Sequence, residues 1–399
     1  MEQIHVRTVH SHKELEEIYE IWDTVFPRGK SFFQDRLEFD STYSTDTTWV
    51  AVVDGVIAAA IQLFTFRIRF GSLELKLGGI GSVATLPAYR KRGLAQCILR
   101  RISEYMKQNG YDLSLLNTNI LSFYEQVGWF PYSKKVWRAK AENIMQLDHL
   151  TLYAIRRYED TDLESIMALY EEANRELYGS VIRPKSYWLG QQQWKTVQPH
   201  QFLVAETEGT VVAFLRYKKS NGNQMQLADC CCLPGHEEAA RSLLCRAVSE
   251  HPEDSSISAY LPDRHALEAC FRQHGNLQIE TNSMWKIVDF GCLLSKLAPE
   301  FSRRMLQGQA KDNLVLPAAL LVGLGDQELM IRMREEEVEV VRALASTAYN
   351  ISLQLDEAQW IMLLLNGYST LEDQSTEGMP YLSVLFPEIS SVFWNADNF

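Results

Sequence analysis

The stretch Gly81–Ile102, GSVATLPAYRKRGLAQCILRRI, has residue types and a spacing that suit the binding of an anion. Its R-x-x-G-x-A pattern lies between an apolar run that predicts a strand and an amphipathic run that predicts a helix. Backbone N–H groups at a helix start attract phosphate, a glycine lets a ligand approach closely, and cationic side chains add charge. The pattern is formed by Arg90, Lys91, Arg92, Gly93, Leu94 and Ala95.

The strand before this loop ends in Val83, Ala84 and Thr85. Its backbone amides would be available to an extended ligand such as pantetheine, because they lie next to the phosphate-binding positions. The alternative interpretation is a solvated basic turn that begins a helix and binds nothing.

The composition excludes some classes of partner. The chain has 399 residues, with 39 Lys or Arg and 51 Asp or Glu, and a formal charge of −12. This excess of negative charge argues against attraction of the whole surface to nucleic acid or to an anionic membrane. We expect neither a signal peptide nor a membrane span, because the start of the sequence lacks a long apolar run and the most apolar stretch is short.

The seven cysteines have no spacing that is typical of a metal site or of a disulfide framework. Cys230, Cys231 and Cys232 are adjacent, so alternate side chains of a strand would point to opposite faces. We therefore expect no metal and a reducing, cytoplasmic setting.

Three segments follow one another along the chain. The first, to about residue 145, has the order strand, helix, hairpin, strand, Pro, helix, strand, and the second, to about residue 289, repeats this order. The third segment, residues 290–399, differs from both and closes with the apolar, aromatic sequence SSVFWNADNF. The repeat predicts a duplicated domain followed by a domain of another kind.

With a strand before the loop, a helix after it and Tyr124 downstream, the sequence resembles the GNAT superfamily of acetyl-CoA-dependent N-acetyltransferases, whose signature is a Q/R-x-x-G-x-G/A loop. Over its whole length the chain resembles Eis-type (enhanced intracellular survival) acetyltransferases. This resemblance implies an α+β fold of two tandem GNAT-fold domains, with mixed, mostly antiparallel sheets and flanking helices, plus a C-terminal α/β domain that resembles sterol carrier protein. The implied domains are 1–145 (catalytic, binding acetyl-CoA), 146–289 (a degenerate second copy) and 290–399 (sterol-carrier-like).

The resemblance implies acetyl-CoA as co-substrate. The positions implied to bind it are Val83, Ala84, Thr85, Arg90, Lys91, Arg92, Gly93, Leu94, Ala95, Gln96 and Asn119. In the second copy the matching stretch is Leu233–Ala240, in which Glu237 stands where Arg90 stands and Ala240 where Gly93 stands. An acidic residue repels a diphosphate, so we expect the second copy not to bind CoA and to act as a scaffold.

Tyr124 stands where the family keeps its general acid. An ordinary phenol has a pKa of about 10 and a thiol one of about 8.5, so protonation of the departing thiolate is uphill by roughly 2 kcal/mol. We expect a small pKa shift at the site to remove this difference. The alternative is a Tyr that only packs by its ring.

The general base is expected outside the fourth strand, since LELKLGGIGSVAT has no carboxylate in its central part. The resemblance to Eis-type enzymes implies another base, the C-terminal α-carboxylate. In this sequence that group belongs to Phe399. Burial would raise the low pKa of such a carboxyl and lower that of the amine. Asn398 stands where the family often has an acidic residue, and Asp397 precedes it.

The predicted function is acetyl transfer from acetyl-CoA to a primary amine by direct attack, with a lysine-type or small cationic acceptor. Phe26 is a candidate for substrate contact, because the equivalent region lines an amine pocket in the family. The resemblance also implies a homo-oligomer, a trimer or hexamer, with no nucleic-acid partner. The alternative function is a non-catalytic acetyl-CoA sensor, or a carrier of an apolar ligand in the C-terminal domain.

Overall fold

A computed structural model describes residues 3–26, 28–145, 152–195, 198–220, 223–251, 255–307, 314–343, 348–371 and 379–399. Its contacts divide the chain into two compact units. The first unit contains residues 1–14, 45–132 and 282–391, and the second contains residues 15–44, 133–281 and 392–399. Mixed, mostly antiparallel sheets with flanking helices confirm the predicted α+β class.

Among the residues that the structure describes, the strands in chain order are β1 (Ile4–Thr8), β2 (Thr48–Val53), β3 (Val56–Phe70), β4 (Leu73–Thr85), β5 (Leu113–Asn117), β6 (Phe130–Lys140), β7 (Ala154–Arg157), β8 (Phe202–Thr207), β9 (Thr210–Ser220), β10 (Gln224–Cys232), β11 (Ser256–Ala259), β12 (Gly275–Ile287), β13 (Ala318–Leu324), β14 (Gln327–Met333), β15 (Val338–Arg342) and β16 (Ile351–Gln354). The twelve α-helices, in the described ranges, are α1 (His12–Val25), α2 (Lys30–Glu38), α3 (Leu94–Gln108), α4 (Leu121–Glu125), α5 (Ala141–Met145), α6 (Leu163–Asn174), α7 (Lys185–Gln193), α8 (Glu237–Ser249), α9 (Glu268–His274), α10 (Phe290–Gln307), α11 (Glu357–Asn366) and α12 (Met379–Leu385).

In the first unit the strands β1 to β5 lie side by side in chain order. Each neighbouring pair is antiparallel except β4 and β5, which are parallel and connected by α3. Antiparallel to β5 runs the second half of β12, with Ile287 opposite Leu113. The first sheet therefore takes its last strand from a distant part of the chain.

The second unit has the same arrangement. Strands β7, β8, β9 and β10 are antiparallel neighbours, and β10 and β11 are parallel and connected by α8. Beyond β11 lies β6, with Ala259 opposite Trp137. The element order thus repeats along the chain, and we call the segments to about residue 145 and to about residue 289 the first and second repeats. The last strand beside β5 is β12 of the second repeat, and the last strand beside β11 is β6 of the first.

Part of the third segment forms a four-stranded sheet within the first unit, in the order β15-β14-β13-β16. Helix α10 packs against β15 and β14. Its Glu300 is buried and accepts hydrogen bonds from the backbone N–H and the hydroxyl of Ser72, at 3.0 and 2.7 Å, in the turn between β3 and β4. The third segment is therefore attached directly to the hairpin that ends in β4.

Helix α3 positions the loop before it by packing on β2, β3 and β4. Its apolar side recurs at helical spacing and buries Leu94, Ile98, Leu99, Ile102 and Met106. Gly78 on β4 gives room beneath it, since a Cβ there would lie 2.5 Å from the Met106 sulfur and would displace that side chain. The helix start is thus fixed relative to the end of β4.

Within the described ranges, no helix combines the length and the apolar composition needed to cross a bilayer. The His, Cys, Asp and Glu side chains placed there form no group of three that could hold a metal ion.

Candidate active site

Strand β4 contains a β-bulge near its end. Gly81 lies opposite Gln62 and Ala84 lies opposite Ala60, so two residues of β4 face one residue of β3. Ser82, in the bulge, has a φ of 52°, which is the left-handed region. A bulge removes backbone groups from the regular hydrogen-bond ladder and changes their direction. The predicted ligand-binding stretch, Val83 to Thr85, begins directly after Ser82.

The parallel partner of β4 covers only its middle. β5 pairs with Leu77, Gly78 and Gly79, and in this fully described region no β5 partner is assigned to the remaining residues of β4. Ser114 of β5 donates its hydroxyl to the Gly78 carbonyl at 2.7 Å, and the Trp129 indole donates to that hydroxyl at 3.1 Å. These buried bonds fix the point at which the two strands separate.

The loop that follows brings its cationic residues to the start of α3. Lys91 has a φ of 63° and Gly93 a φ of 75°, so the chain turns sharply before the helix begins at Leu94. Arg90 donates from Nε to the Thr85 carbonyl at 3.2 Å, and Arg92 donates to the Ala88 carbonyl at 3.1 Å. The stretch from Arg90 to Gly93 is exposed.

The start of α3 is electropositive. The first turn contains no acidic residue, and Cys97 is the first residue whose N–H bonds within the turn, to the Gly93 carbonyl at 3.0 Å. The amides of Leu94, Ala95 and Gln96 precede it, where a helix leaves its N–H groups without intrahelical partners. The helix dipole adds to the nearby cationic side chains, so this surface favours an anion.

Tyr124 lies on the short helix α4, close to this helix start. Gln96 donates to the Gln126 side chain at 2.8 Å, which places the first turn of α3 beside α4. Lys286 donates from Nζ to the Val127 carbonyl at 2.9 Å and holds the turn after Tyr124. Asn119, just past β5, is exposed.

The Tyr124 phenol is buried, with 6% of the residue exposed. Burial raises its pKa to about 12, because the phenolate would lose its hydration. This shift is opposite to the small one that we expected to bring the phenol toward the thiol. In the described part of the chain the Tyr124 hydroxyl also has no hydrogen-bond partner, so it is available to a ligand.

Phe26 and Phe399, the other two predicted site residues, belong to the second unit. The Phe26 N–H bonds to the Trp22 carbonyl at 2.8 Å, after the end of α1. The Phe399 ring packs edge-on against the Phe393 ring, with 6.3 Å between the ring centroids. Their contact with substrate and their part in catalysis stay predictions.

The second repeat differs at its own strand–helix junction. Leu233-Pro234 follows β10 as Leu86-Pro87 follows β4, but α8 begins at Glu237, three residues after Pro234, whereas α3 begins seven after Pro87. The residues matched to Arg90–Gly93 therefore form the first helical turn. Ala240 lies inside the helix and is buried, so it does not form a turn before the helix as Gly93 does.

A residue in the second repeat that was not predicted to matter corresponds to Tyr124. Tyr124 lies 37 residues after Pro87, and Phe271 lies 37 residues after Pro234, on α9. Each is followed after four residues by a glycine, Gly128 or Gly275. This constant spacing from the Leu-Pro pair was the available signal, and it shows that the second repeat lacks the phenol hydroxyl.

Comparisons with known proteins agree with this geometry. A family model described as an acetyltransferase (GNAT) domain matches residues 5–131. No curated protein matches the chain.

Three solved structures share the fold over the full length. A probable N-acyltransferase from Enterococcus faecalis is 16% identical, with a TM-score of 0.74, and the match covers 99% of this chain and 100% of that chain. A GCN5-related N-acetyltransferase from Anabaena variabilis is 15% identical, with a TM-score of 0.74, over 100% of both chains. Eis1 from Mycobacterium abscessus is 16% identical, with a TM-score of 0.67, over 99% of this chain and 100% of that chain. The chain thus carries an acetyltransferase (GNAT) domain in its first third and has, as a whole, the fold of these three proteins.

Proposed function

We propose that this protein transfers the acetyl group of acetyl-CoA to a primary amine. The observation that carries the proposal is the acetyltransferase domain at residues 5–131, in which a bulged strand separates from its neighbour and leads to a cationic helix start. The amides of Leu94 to Gln96 and the side chains of Arg90 to Arg92 would bind the diphosphate of CoA. The backbone of Val83, Ala84 and Thr85 would bind the pantetheine arm.

The chemistry supplied by acetyl-CoA is a thioester carbonyl open to direct attack. The amine nitrogen forms the new C–N bond, the C–S bond breaks, and the amine loses a proton while the thiolate gains one, without an acyl-enzyme. A backbone N–H of the bulge, at Val83 or Ala84, would stabilise the negative charge that develops on the carbonyl oxygen.

Tyr124 would donate the hydrogen bond that the departing sulfur needs. With a pKa of about 12 the phenol stays protonated at any physiological pH, and its hydroxyl has no other partner within the described residues. Complete transfer to a thiolate of ordinary pKa would be uphill by roughly 5 kcal/mol, so strong hydrogen bonding is the larger part of its role. The positive potential at the start of α3 favours the thiolate as well.

The general base would be the α-carboxylate of Phe399, as the resemblance to Eis-type enzymes implies. Support comes from β4, whose Glu74 is the only carboxylate of this fully described strand and lies at the start of it, far along the strand from the bulge. Support also comes from the segment before Phe399, which is buried rather than free.

The remaining parts would support this reaction. The second repeat would be a degenerate GNAT domain that acts as scaffold, and the third segment would be the sterol-carrier-like domain. Acceptors would be lysine-type or small cationic amines, which the net charge of −12 favours. We further propose a cytoplasmic homo-oligomer, a trimer or hexamer, that uses no metal and binds no nucleic acid.

A thiol-release assay with a panel of primary amines tests the activity. We expect CoA to appear only when both acetyl-CoA and an amine are supplied. Binding of acetyl-CoA without thiol release across the panel would instead assign a non-catalytic acetyl-CoA sensor.

A second assay tests the base. Addition of one Gly after Phe399 moves the carboxylate by a residue, so we expect turnover to fall at least 100-fold while acetyl-CoA binds as before. Full turnover by the extended protein would exclude the terminal carboxylate.

A further inference from the structure

The segment Val392–Asp397 is an integral part of the second unit. All six residues are buried, and Asp397 is completely so. The segment begins with the Val392 N–H bonded to the Tyr178 carbonyl at 2.8 Å. Gly179 allows this approach, with a φ of 78°, since a Cβ there would lie 3.3 Å from the Val392 oxygen.

Asp397 is held by Arg183 in a bidentate pair. Arg183 donates from Nε to Oδ1 at 2.8 Å and from Nη2 to Oδ2 at 2.7 Å, and both side chains are fully buried. The Tyr187 hydroxyl donates to the same carboxylate at 3.0 Å. Two parallel hydrogen bonds fix orientation as well as distance.

A second carboxylate completes this network. Asp229 accepts from Arg183 Nη1 at 2.7 Å and from Arg216 Nε at 2.7 Å. Arg216 also donates to Gln191 at 2.9 Å, and Gln191 donates to the Ala396 carbonyl at 2.8 Å. We call Arg183, Arg216, Asp229 and Asp397 the tail network.

Further side chains bind the backbone and the indole of the same segment. Lys218 donates to the Asn395 carbonyl at 3.0 Å, and the Asn395 side chain donates to the Leu227 carbonyl at 3.1 Å. The Trp394 indole donates to the Asn174 side chain at 2.7 Å. Every residue from Trp394 to Asp397 therefore has a specific polar partner in the second unit.

The charges of the tail network balance, with two guanidinium groups and two carboxylates. Burial alone would lower the pKa of Arg183, but the carboxylates of Asp397 and Asp229 outweigh it and hold that pKa well above its ordinary value. Burial alone would raise the pKa of Asp229, but Arg216 and Arg183 keep it lowered. Buried ions that are fully paired specify one arrangement, because any other leaves a charge without a partner.

The place of Asp229 in the fold is informative. It follows a register shift in β10, at Ala228, and lies five residues before Pro234, as Ser82 lies five residues before Pro87 in the bulge of β4. In the first repeat the bulge of β4 re-aims backbone groups at the candidate active site. In the second repeat the register shift of β10 places a carboxylate beside the C-terminal segment.

We propose that the tail network is a positioning device, in which Arg183, Asp229 and Asp397 orient the last two residues so that the Phe399 carboxylate can act as base. This inference rests on the proposed function, because it assigns these residues a catalytic effect only through Phe399. It also gives the second repeat a specific role, which is to hold the C-terminal segment in place of a cofactor.

The test uses Asp397→Asn in the full chain, with Asp263→Asn as the matched control in an exposed ion pair with Lys135 of the same unit. Hydrogen–deuterium exchange of the peptide containing residues 392–399 reports anchoring without reference to activity. For Asp397→Asn we expect at least tenfold faster exchange there and a 10- to 100-fold lower kcat, with the acetyl-CoA Kd changed less than twofold. The control should leave all three unchanged.

The turnover per binding site separates positioning from a general loss of structure. Calorimetric titration with acetyl-CoA counts the folded molecules, and kcat is then expressed per acetyl-CoA site. For Asp397→Asn we expect turnover per site to fall, whereas a merely structural role would lower the number of sites and leave turnover per site unchanged.

The outcomes also separate this inference from the proposed base. If the Gly extension stops turnover but Asp397→Asn keeps full kcat, the positioning role is wrong and the base survives. If the Gly extension keeps full turnover, the base is wrong, and the exchange measurement still decides whether the network anchors the segment. Unchanged exchange in Asp397→Asn would overturn the anchoring itself.

A milder variant covers the case in which Asp397→Asn fails to fold. Tyr187→Phe removes a single hydrogen bond to Asp397 and leaves all four charges in place. We expect about threefold faster exchange of the same peptide and a kcat about threefold lower. No change in either quantity would count against the network.

Discussion

The junction after β4 and the junction after β10 follow the same Leu-Pro pair but begin their helices differently. The first carries Arg90 to Arg92 and turns at Gly93, with no acidic residue in the first turn of α3. The second begins α8 with Glu237 and Glu238, and the Glu237 carboxylate accepts the Gly235 N–H at 3.0 Å. The start of α3 is therefore open to an external anion, whereas the start of α8 already carries the carboxylate of Glu237.

This difference shows how one backbone plan serves two purposes. Four residues form a loop in the first repeat and a helical turn in the second. Glu238 and Ala240, which favour a helix, stand where Lys91 and Gly93 have positive φ and turn out of it. In the second repeat the ring of Phe271 replaces the phenol of Tyr124, and Asp229 directly follows the register shift in β10. The second junction therefore has the same order of elements as the first but lacks these polar groups.

The largest expected effect comes from making the first repeat resemble the second at the phenol. Tyr124→Phe should lower kcat at least 100-fold, because it removes the donor for the departing sulfur, while the acetyl-CoA Kd changes less than threefold. Stability should be nearly unchanged, since the hydroxyl has no partner among the described residues. Steady-state kinetics and calorimetry measure both constants.

The pH dependence sharpens the same prediction. A pKa of about 12 means that Tyr124 keeps its proton through the whole assay range, so no alkaline loss of activity below pH 11 should come from it. An alkaline limb near pH 9 that disappears in Tyr124→Phe would contradict the buried, protonated phenol.

A smaller effect is expected from Arg90→Glu, which gives the first junction the acidic residue of the second. Replacing attraction to the diphosphate by repulsion should cost about 2 kcal/mol of binding, or roughly 30-fold in the CoA Kd. Arg101→Glu makes the same change of charge farther along α3, at an exposed side chain, and is the control. Equal CoA affinity in the two variants would place the diphosphate elsewhere.

The smallest effect on activity is expected from the reverse change, Phe271→Tyr. The ring is completely buried, so the new hydroxyl should lower the free energy of unfolding by about 1 to 3 kcal/mol, measured by denaturant titration. Acetyl transfer should not change, because the second junction lacks the cationic loop. Recovery of turnover in the double variant with Tyr124→Phe would show instead that the second repeat carries a latent site.

The local pattern of the first repeat was sufficient to predict the elements that form its site. The turns Asp54-Gly55 and Gly71-Ser72 separate strands β2, β3 and β4, and α3 begins directly after Gly93. These boundaries are encoded by adjacent residues, since turns with positive φ require glycine or a similarly permissive residue. The order of elements in the second repeat could be predicted for the same reason.

Features that depend on distant residues could not be predicted. No spacing relates Arg183, Asp229 and Asp397, which lie far apart in the sequence and pair only in the folded unit. The bulge in β4 depends on its register with β3, and the raised pKa of Tyr124 depends on the packing around it. The periodicity of apolar residues predicts which face of a helix or strand is buried. It does not predict against which other element that face packs.

The exchange of closing strands, β12 beside β5 and β6 beside β11, limits how this chain could be dissected. A fragment cut between the repeats would leave β5 without β12 on its edge, and it would contain β6 without its neighbour β11. Such bare edges template aggregation. Expression of the first repeat alone should therefore yield insoluble protein, and co-expression of complementary fragments is the better route to separating the two repeats.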